Sequence, residues 1–206
     1  MQSKMAIGIA GGSGAGKTVL ANAVAERLAD EAPVALVRTD WYYCDLAHLE
    51  PAQRDGTNFD DPASIDWGVL LAQVRELRAG GSISRPSYNF ATHTRGPSPG
   101  RLGPVEIVVV EGVFALANSE LRSLLDLLVY VEASEHGRFE RRLQRDVRQR
   151  GRTVESVKRQ FRETVAPMHE KFIEPQREFA HLTVDGEGSL SAAVERVLRP
   201  SRADPG

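Results

Sequence analysis

The amino-acid sequence predicts an α/β fold of three layers, with a mostly parallel sheet between two layers of helices. Short apolar runs recur along the chain, and segments with the apolar spacing of helices separate them, an alternation typical of a parallel sheet. The first run leads directly into a glycine-rich motif, which also favours this fold class. The predicted strands cover residues 5–10, 34–37, 105–110, 127–131 and 182–184.

Length and composition limit the classes of protein to consider. The 206 residues, of which 41% are hydrophobic, suit a single domain over 1–199 with an appended lid, and 200–206 are expected to be a disordered tail. The net charge of −2 argues against a nucleic-acid partner, which would call for a basic excess. Cys44 is the one cysteine and no apolar run approaches membrane-spanning length, so we expect a cytoplasmic protein without disulfides.

The glycine-rich motif fits the phosphate-binding pattern G-x-x-x-x-G-K-[ST] at every fixed position. Glycines let backbone N–H groups wrap a phosphate, Lys17 adds a positive charge, and the Thr18 hydroxyl can bind Mg²⁺. Residues 19–28 have helical spacing, so the motif opens onto a helix N-terminus that favours anions. The alternative is a plain glycine-rich turn, but the complete pattern predicts binding of a nucleoside triphosphate. Its residues are Gly11, Gly12, Ser13, Gly14, Ala15, Gly16, Lys17 and Thr18.

Two acidic residues lie where ligands of parallel sheets bind, because Asp40 and Glu111 each follow a predicted strand. The stretch 41–62 is too polar and broken to predict regular structure, whereas 64–79 has helical spacing and ends at two glycines. Loose alternation over 82–96 predicts a small hairpin that projects from the domain.

The segment 134–152 contains seven arginines and is predicted to be helical. Four of them share one stripe about 100° wide on such a helix. They are Arg138, Arg141, Arg142 and Arg145. A solvated helix face usually interleaves acidic residues for pairing, and Glu140 points away from this stripe. We therefore interpret the stripe as an unpaired clamp for phosphate groups, within a lid over about 134–165.

The C-terminal part of the chain is expected to complete the domain. A second helical run begins near Thr153 and is predicted to end at Pro167. Residues 168–175 are predicted to be a compact connection, and a last helix is predicted over 191–198.

A phosphate-binding motif alone does not separate a phosphotransferase from a nucleotide-driven switch. A guanine-binding switch would be expected to carry Asn-Lys-x-Asp late in the chain, and the sequence has no such element. A small-molecule kinase needs an acceptor pocket, a carboxylate near the acceptor hydroxyl and a lid that excludes water. Asp40, the hairpin and the arginine-rich segment are candidates for these parts, so a kinase is favoured.

Several motifs, in order along the chain, resemble those of the uridine kinase (uridine–cytidine kinase) family of P-loop nucleoside kinases. After the phosphate-binding motif these are Asp40-Trp41-Tyr42-Tyr43, Asn58-Phe59-Asp60-Asp61-Pro62, Pro86-x-Tyr88-x-Phe90-x-x-His93-x-Arg95, Arg141-Arg142-x-x-Arg145-Asp146 with Arg150-Gly151-Arg152, and Val165-x-Pro167-Met168-His169. The resemblance implies a P-loop NTPase fold with a small β-hairpin over the acceptor site and an arginine-rich helical lid. It also implies transfer of a phosphoryl group from ATP or GTP, with Mg²⁺, to the 5′-hydroxyl of uridine or cytidine.

The resemblance implies roles for individual residues as well. Asp40 would be the general base on the 5′-hydroxyl, and Asp60 would bind the ribose hydroxyls. The catalytic residues would be Lys17, Asp40, Arg141 and Arg145, with Arg142, Arg150 and Arg152 as further donor-binding residues and Thr18, Asp40 and Glu111 as metal ligands. The substrate-binding residues would be Tyr43, Phe59, Asp60, Tyr88, His93, Arg138 and Gln160.

Three positions depart from the family pattern. Asp61 replaces the usual histidine, Trp41 a small polar residue, and Cys44 often a lysine. Trp41 and Asp61 are expected to border the substrate side and so to bear on nucleoside preference. Two alternatives stay open, a phosphoribulokinase-like sugar-phosphate kinase and a nucleotide-binding regulator without kinase activity. Family members are commonly tetramers, so a homo-oligomer is expected.

Overall fold

The computed structural model describes residues 5–199, and the predicted tail over 200–206 lies outside the described residues. Its strands are β1 (Met5–Gly11), β2 (Val34–Arg38), β3 (Ile83–Ser84), β4 (Tyr88–Asn89), β5 (Thr94–Arg95), β6 (Arg101–Leu102), β7 (Ile107–Glu111), β8 (Leu127–Glu132) and β9 (Leu182–Asp185). Five of them form a parallel central sheet in the order β2-β7-β1-β8-β9. The predicted strands are confirmed, with ends that differ by one or two residues.

Helices cover both faces of this sheet, which confirms the predicted three-layer α/β/α class. They are α1 (Lys17–Ala29), α2 (Pro51–Asp55), α3 (Trp67–Arg78), α4 (Ser119–Ser123), α5 (Glu135–Arg150), α6 (Val154–Gln160), α7 (Ala166–Met168) and α8 (Leu190–Leu198). Alternate residues of a strand point to opposite faces, so Ile7 and Ile9 pack with α1 and α8 while Ala6 and Ala10 pack with α3 and α4. Within residues 5–199, none of these helices has both the length and the apolar character to span a membrane.

The helix predicted over 64–79 begins three residues later, at Trp67. The Asp66 side chain accepts a hydrogen bond from the Val69 N–H (3.1 Å) and so caps α3. This cap explains the late start, because a capping residue itself has a non-helical backbone.

The polar stretch 41–62 contains the short helix α2, so the prediction of no regular structure there was wrong. A capping box starts this helix, in which the Glu50 N–H donates to the Gln53 side chain (3.1 Å) and the Glu50 carboxylate accepts from the Gln53 N–H. Pro51 at the first helical position fits the same start, since its missing N–H costs nothing there.

The predicted hairpin is two nested antiparallel ladders. The inner one pairs β4 with β5, and the outer one pairs β3 with β6. The insertion therefore extends to Leu102, beyond the predicted end at 96, because Ile83 pairs with Leu102 and the irregular segment 96–100 lies within this outer ladder.

Pro167 does not end the second helical run, contrary to the prediction. Helical turns continue from α6 to a 3-10 segment, Glu174–Phe179, because wide π turns lie on both sides of α7. In the first of them the Ala166 N–H donates to the Phe161 carbonyl, five residues earlier. Such a turn makes room for a proline, which lacks an N–H and clashes with the carbonyl four residues before it. The predicted connection over 168–175 is therefore helical as well.

Candidate active site at the carboxyl edge of the sheet

Three strand ends bring the predicted phosphate and metal residues together. β1 runs into the phosphate-binding loop, and its neighbour β7 ends at Glu111. β2, on the other side of β7, continues into a 3-10 turn, Thr39–Tyr42, that carries Asp40. Gly112 permits this approach, because a Cβ there would overlap the Thr39 side chain. The carboxyl ends of these parallel strands thus form one edge on which a ligand can sit.

The phosphate-binding loop packs closely against α5. Gly14 has a left-handed backbone (φ 85°), and a Cβ there would overlap the Arg138 carbonyl oxygen. The Gly12 carbonyl accepts hydrogen bonds from the Ala15 N–H (3.0 Å) and from Lys17 Nζ (3.4 Å). The loop leads directly onto the N-terminus of α1, where backbone N–H groups favour an anion.

The charged groups beside the loop depend on one another. Thr18 Oγ1 donates to the Glu111 carboxylate (3.2 Å). Burial raises the pKa of Glu111, and the Lys17 and Arg38 charges oppose that shift. Burial likewise lowers the pKa of Lys17, against the attraction of Glu111 and Asp40. The lysine and the carboxylates therefore stabilise each other's charged forms in a place that would otherwise neutralise them.

The donor atoms at this edge suit Mg²⁺. Thr18, Asp40 and Glu111 offer hydroxyl and carboxylate oxygens, which a hard cation prefers. In the part of the chain that the structure describes, no group of three or more His, Cys, Asp and Glu side chains could hold a metal by itself. Phosphate oxygens and water would have to complete the coordination, as is usual for Mg²⁺ at a nucleotide site.

A cavity of about 1010 Å³ opens beside the loop. Residues of the loop, of the hairpin and of the arginine-rich segment line it. It brings together most of the residues predicted from sequence. Those are Ser13, Lys17, Asp40, Tyr43, Phe59, Asp60, Tyr88, His93, Arg142, Arg145, Arg150, Arg152 and Gln160. The volume has room for a phosphate chain together with an acceptor molecule.

Aromatic rings line part of this cavity. The rings of Phe59 and His93 are stacked, with centroids 4.6 Å apart and planes 20° apart. The Tyr43 ring meets Phe59 edge-on (5.1 Å) and lies tilted against Tyr88 (5.4 Å). Tyr88 Oη is buried and has no hydrogen-bond partner among the described residues. Flat apolar walls beside a hydroxyl group that has no partner in the described part of the chain suit a planar ligand with polar edges.

The hairpin sequence itself places His93 against Phe59. The Asn89 side chain accepts hydrogen bonds from the N–H groups of Ala91 (2.9 Å) and Thr92 (3.2 Å), which turns the chain back on itself. His93 then adopts a left-handed backbone (φ 54°), a conformation that histidine adopts more often than most residues. Local hydrogen bonding thus fixes the direction of a ring that the sequence marked only by its motif.

Asp60 is buried in the wall of the same cavity, on a turn that Asn58 stabilises. The Asp60 N–H donates to Asn58 Oδ1 (3.0 Å). Burial raises the pKa of Asp60, Arg142 opposes the shift, and the Asp40 carboxylate adds to it. The Asp60 carboxyl group is therefore suited to hydrogen bonds with the hydroxyl groups of a ligand.

Two arginines of the predicted stripe, Arg142 and Arg145, are paired with a carboxylate, so the interpretation of the stripe as unpaired is corrected for them. Two further arginines of the lid are paired with the same residue. This residue is Asp146, which has a fully buried side chain and forms ion pairs with all four. Its carboxylate lies 3.6 Å from Arg142, 2.9 Å from Arg145, 3.5 Å from Arg150 and 3.6 Å from Arg152. The spacing in the sequence could have revealed this partner, because Asp146 follows Arg142 and precedes Arg150 by four residues, one helical turn in each direction.

Two of these arginines also fix Gln160 at the cavity wall. Arg142 donates to Ser13 Oγ (2.7 Å) and to Gln160 Oε1 (2.8 Å). Arg152 donates to the same Gln160 oxygen and to Ser156 Oγ (3.1 Å). The phosphate-binding loop and the segment after α5 are thereby connected through one guanidinium group, that of Arg142.

Arg138 and Arg141 do not line this cavity, so the predicted stripe is divided between three places. Arg141 donates to the Gly186 carbonyl (2.9 Å) and faces a smaller cleft of about 200 Å³ beside α1. Arg138 is buried under the loop, where a Cβ on Gly12 would lie 2.7 Å from Arg138 Cδ. Of the stripe, only Arg142 and Arg145 therefore line the large cavity.

Trp41 and Asp61, which were expected to border the substrate side, are not part of the cavity lining. Asp61 accepts a hydrogen bond from the Ala63 N–H (2.8 Å) and so caps a short 3-10 turn. The Arg85 guanidinium lies over the Trp41 ring, 5.1 Å from the ring centroid. Both residues thus have structural contacts of their own.

Comparison with known proteins adds to this geometry. The profile of the Phosphoribulokinase / Uridine kinase family matches residues 6–189. The chain is similar to the uridine kinase of Staphylococcus epidermidis, with 40% identity over 195 residues that cover 95% of this chain and 94% of that protein. It is similar to the uridine kinase of Macrococcus caseolyticus with the same identity and coverage. Phosphoribulokinase from Rhodobacter spheroides has a similar fold, with a TM-score of 0.60, 17% identity, and coverage of 90% of this chain and 71% of that one.

Proposed function

The chain belongs to the phosphoribulokinase / uridine kinase family and is a kinase, and from this premise we propose that it transfers the γ-phosphoryl group of ATP or GTP to the 5′-hydroxyl of uridine or cytidine. The relatives compared above are uridine kinases, which supports a nucleoside as acceptor. Assembly into a homo-oligomer, a cytoplasmic location and a single domain over 1–199 remain predictions from the sequence.

The composition of the acceptor part of the cavity is the observation that carries the proposal. A pyrimidine is a flat ring with polar edges, and the stacked rings of Phe59 and His93 offer it a planar wall. A sugar phosphate would instead need cations on the hairpin side of the cavity, in addition to Lys17 and the lid arginines that we assign to the donor phosphates. Arg95 is held by Asp66 (3.0 Å) and Arg85 lies over Trp41, and neither lines the cavity. A nucleoside is therefore favoured over ribulose 5-phosphate, the alternative acceptor.

The positions of two carboxylates support their proposed roles. Asp40 lines the cavity next to the charged end that contains Lys17, so it is placed to accept the proton of the acceptor hydroxyl as the phosphoryl group is transferred. Asp60 lines the same cavity and would bind the ribose hydroxyls. Such hydrogen bonds fix the sugar, and with it the 5′-hydroxyl, relative to Asp40.

The donor phosphates would lie on the phosphate-binding loop. Lys17 and Arg145 line the cavity and would neutralise the charge that develops on the transferred group. Mg²⁺, held by Thr18 with Glu111 and Asp40 nearby, would supply further neutralisation of the phosphate chain. We place the base and sugar of the donor in the smaller cleft, because Gly16 and Arg141 line it directly beside the loop.

Replacing His93 tests the nucleoside assignment. We expect His93→Ala to raise the KM for uridine or cytidine about tenfold or more, because the planar wall is lost, while the KM for ATP changes less than about twofold. The assay is steady-state kinetics with each substrate varied in turn. His48→Ala, an exposed histidine outside the cavity, is the matched control. An unchanged nucleoside KM in His93→Ala would contradict the assignment.

A further inference from the structure

Asp146 lies at the centre of the arginine-rich segment and has no part in the chemistry proposed above. Burying a carboxylate is costly unless cations surround it, and this one is fully buried. Helix geometry supplies the cations, because Arg142 and Arg150 lie one turn to either side on α5. Gly151 then ends the helix with a left-handed backbone (φ 64°), and the Arg152 N–H donates to the Asp146 carbonyl (3.1 Å).

The four arginines depend on Asp146 to different degrees. Arg142 and Arg152 have further side-chain partners in Ser13, Gln160 and Ser156. Among the side chains that the structure describes, Arg145 and Arg150 each form an ion pair with Asp146 alone, and Arg150 in addition lies over the Phe90 ring.

Both Arg145 and Arg150 line the cavity, with 34% and 37% of their side chains exposed. Mutual repulsion of like charges would move these two guanidinium groups apart if no carboxylate held them. A single carboxylate behind them keeps both at the cavity wall, and it cannot neutralise four guanidinium groups. Positive potential therefore remains for an anionic ligand.

We propose that Asp146 is a positioning residue, which holds Arg145 and Arg150 at the cavity wall until a triphosphate becomes their partner. The proposal rests on the proposed function for the identity of that anion. It has two consequences of opposite sign. Asp146 competes with the phosphates for the guanidinium groups and so weakens anion binding. It also keeps those groups where the transferred phosphoryl group needs them and so increases the rate.

Asp146→Asn tests both consequences, because it removes the charge and keeps the shape of the side chain. Inorganic tripolyphosphate serves as the probe of anion binding, measured by titration calorimetry on the full chain. We expect its Kd to fall about threefold or more, because a competing charge is gone. We expect kcat to fall about tenfold or more, because two guanidinium groups lose their fixed position. Damage to the structure would instead weaken binding and turnover together.

Two further variants complete the test. Asp146→Glu keeps the charge and moves it by one methylene, so tripolyphosphate should bind within about twofold of the wild type while kcat falls about fivefold. Glu140→Gln removes one negative charge from the same helix outside the network and should change neither quantity by more than about twofold.

Weaker tripolyphosphate binding in Asp146→Asn, or wild-type turnover in that variant, would overturn the proposal. If Asp146→Asn does not fold, the kinetics of Asp146→Glu test the proposal instead. Wild-type turnover in Asp146→Glu would then overturn the proposal. The anion titration needs no acceptor. If no nucleoside is a substrate, the proposed function is contradicted. The tripolyphosphate Kd of Asp146→Asn still tests the role of Asp146 in that case.

Discussion

At the scale of single residues, Asp40 carries the proposed chemistry. It follows β2 on a 3-10 turn and lines the cavity, and its charge acts on Lys17 and Asp60. We expect Asp40→Asn to lower kcat about a thousandfold and to leave ATP binding nearly unchanged, because the variant loses the proton acceptor and keeps the phosphate-binding loop. Steady-state kinetics and a nucleotide-binding titration would measure the two effects.

Asp61→Asn is the matched control for that variant. It makes the same chemical change close by in the fold, and Asp61 lies outside the cavity lining. Asparagine caps a helical turn as well as aspartate does, so turnover and stability should stay near the wild-type values. Near-normal turnover in Asp40→Asn would remove Asp40 from the mechanism.

His169 is a second residue with a distinct prediction. It lies in a π turn beneath the phosphate-binding loop, where its Nε2 is 3.3 Å from a Glu174 carboxylate oxygen. Burial lowers its pKa to about 4, and the Arg138 charge adds to the shift. The pKa of histidine in an unfolded chain is about 6.5, so this side chain binds a proton more readily in the unfolded than in the folded protein. The stability that His169 contributes is therefore complete above about pH 6.5 and is lost as the pH falls towards about 4.

We expect this difference to appear on comparison with His169→Gln. Between about pH 7.5 and pH 5, the free energy of unfolding of the wild type should fall by about 2 kcal/mol more than that of the variant. Urea unfolding at the two pH values would measure it. His136→Gln, which changes an exposed histidine on α5, should follow the wild type. Parallel behaviour of His169→Gln and the wild type would show that His169 titrates normally in the folded protein.

Sequence motifs located most cavity residues because each motif carries its chemistry in neighbouring positions. Asp60 and His93 were both marked in this way, and both line the cavity. Arg138 was misplaced towards the cavity because helical periodicity gives the angle between side chains but not the direction in which the helix packs. Asp146 was given no role because burial, which makes its charge matter, depends on the tertiary fold.

At the scale of elements, α5 separates two functions along its length. Arg141 faces the smaller cleft and donates to the Gly186 carbonyl, whereas Arg145 faces the large cavity. We expect Arg145→Ala to lower kcat about a hundredfold, because it removes a charge next to the transferred group. We expect Arg141→Ala to raise the KM for the donor about tenfold with kcat within about threefold, because it removes a wall of the donor cleft.

Kinetics with the donor concentration varied would separate these two effects, and the two variants serve as controls for each other. Both remove one arginine from the same helix, so a general loss of helix stability would affect them alike. Equal effects on kcat in the two variants would contradict the separation of roles along α5.

Helices and strands were predicted correctly where the spacing of apolar residues stayed regular over a whole element. The prediction was wrong where hydrogen bonds that do not follow this spacing determine the backbone conformation. The strands and α8 were predicted because apolar periodicity alone forms them. The helical run beyond Pro167 was missed because π turns accommodate the proline, and single-residue rules do not include them. α2 was missed because its capping box lies in a stretch with too few apolar residues to give a helical pattern.

At the scale of the whole molecule, the order β2-β7-β1-β8-β9 decides which residues can meet. It places β7 between β1 and β2, so Glu111, the phosphate-binding loop and Asp40 share one edge although they are far apart in sequence. The hairpin insertion and the arginine-rich segment then enclose the cavity at that edge. The strand order thus brings the proposed phosphate-binding and catalytic residues together, while the residues that line the acceptor part of the cavity determine which substrate binds.

The choice between a nucleoside and a sugar phosphate is decided by the initial rate of the wild-type protein with ATP and Mg²⁺ on uridine, cytidine and ribulose 5-phosphate under identical conditions. We expect rapid formation of a nucleoside 5′-monophosphate from uridine or cytidine. We expect a rate on ribulose 5-phosphate lower by about a thousandfold or more, because Asp60 repels a second phosphate and no arginine of the hairpin lines the cavity to bind it. A faster reaction with ribulose 5-phosphate than with either nucleoside would contradict the account.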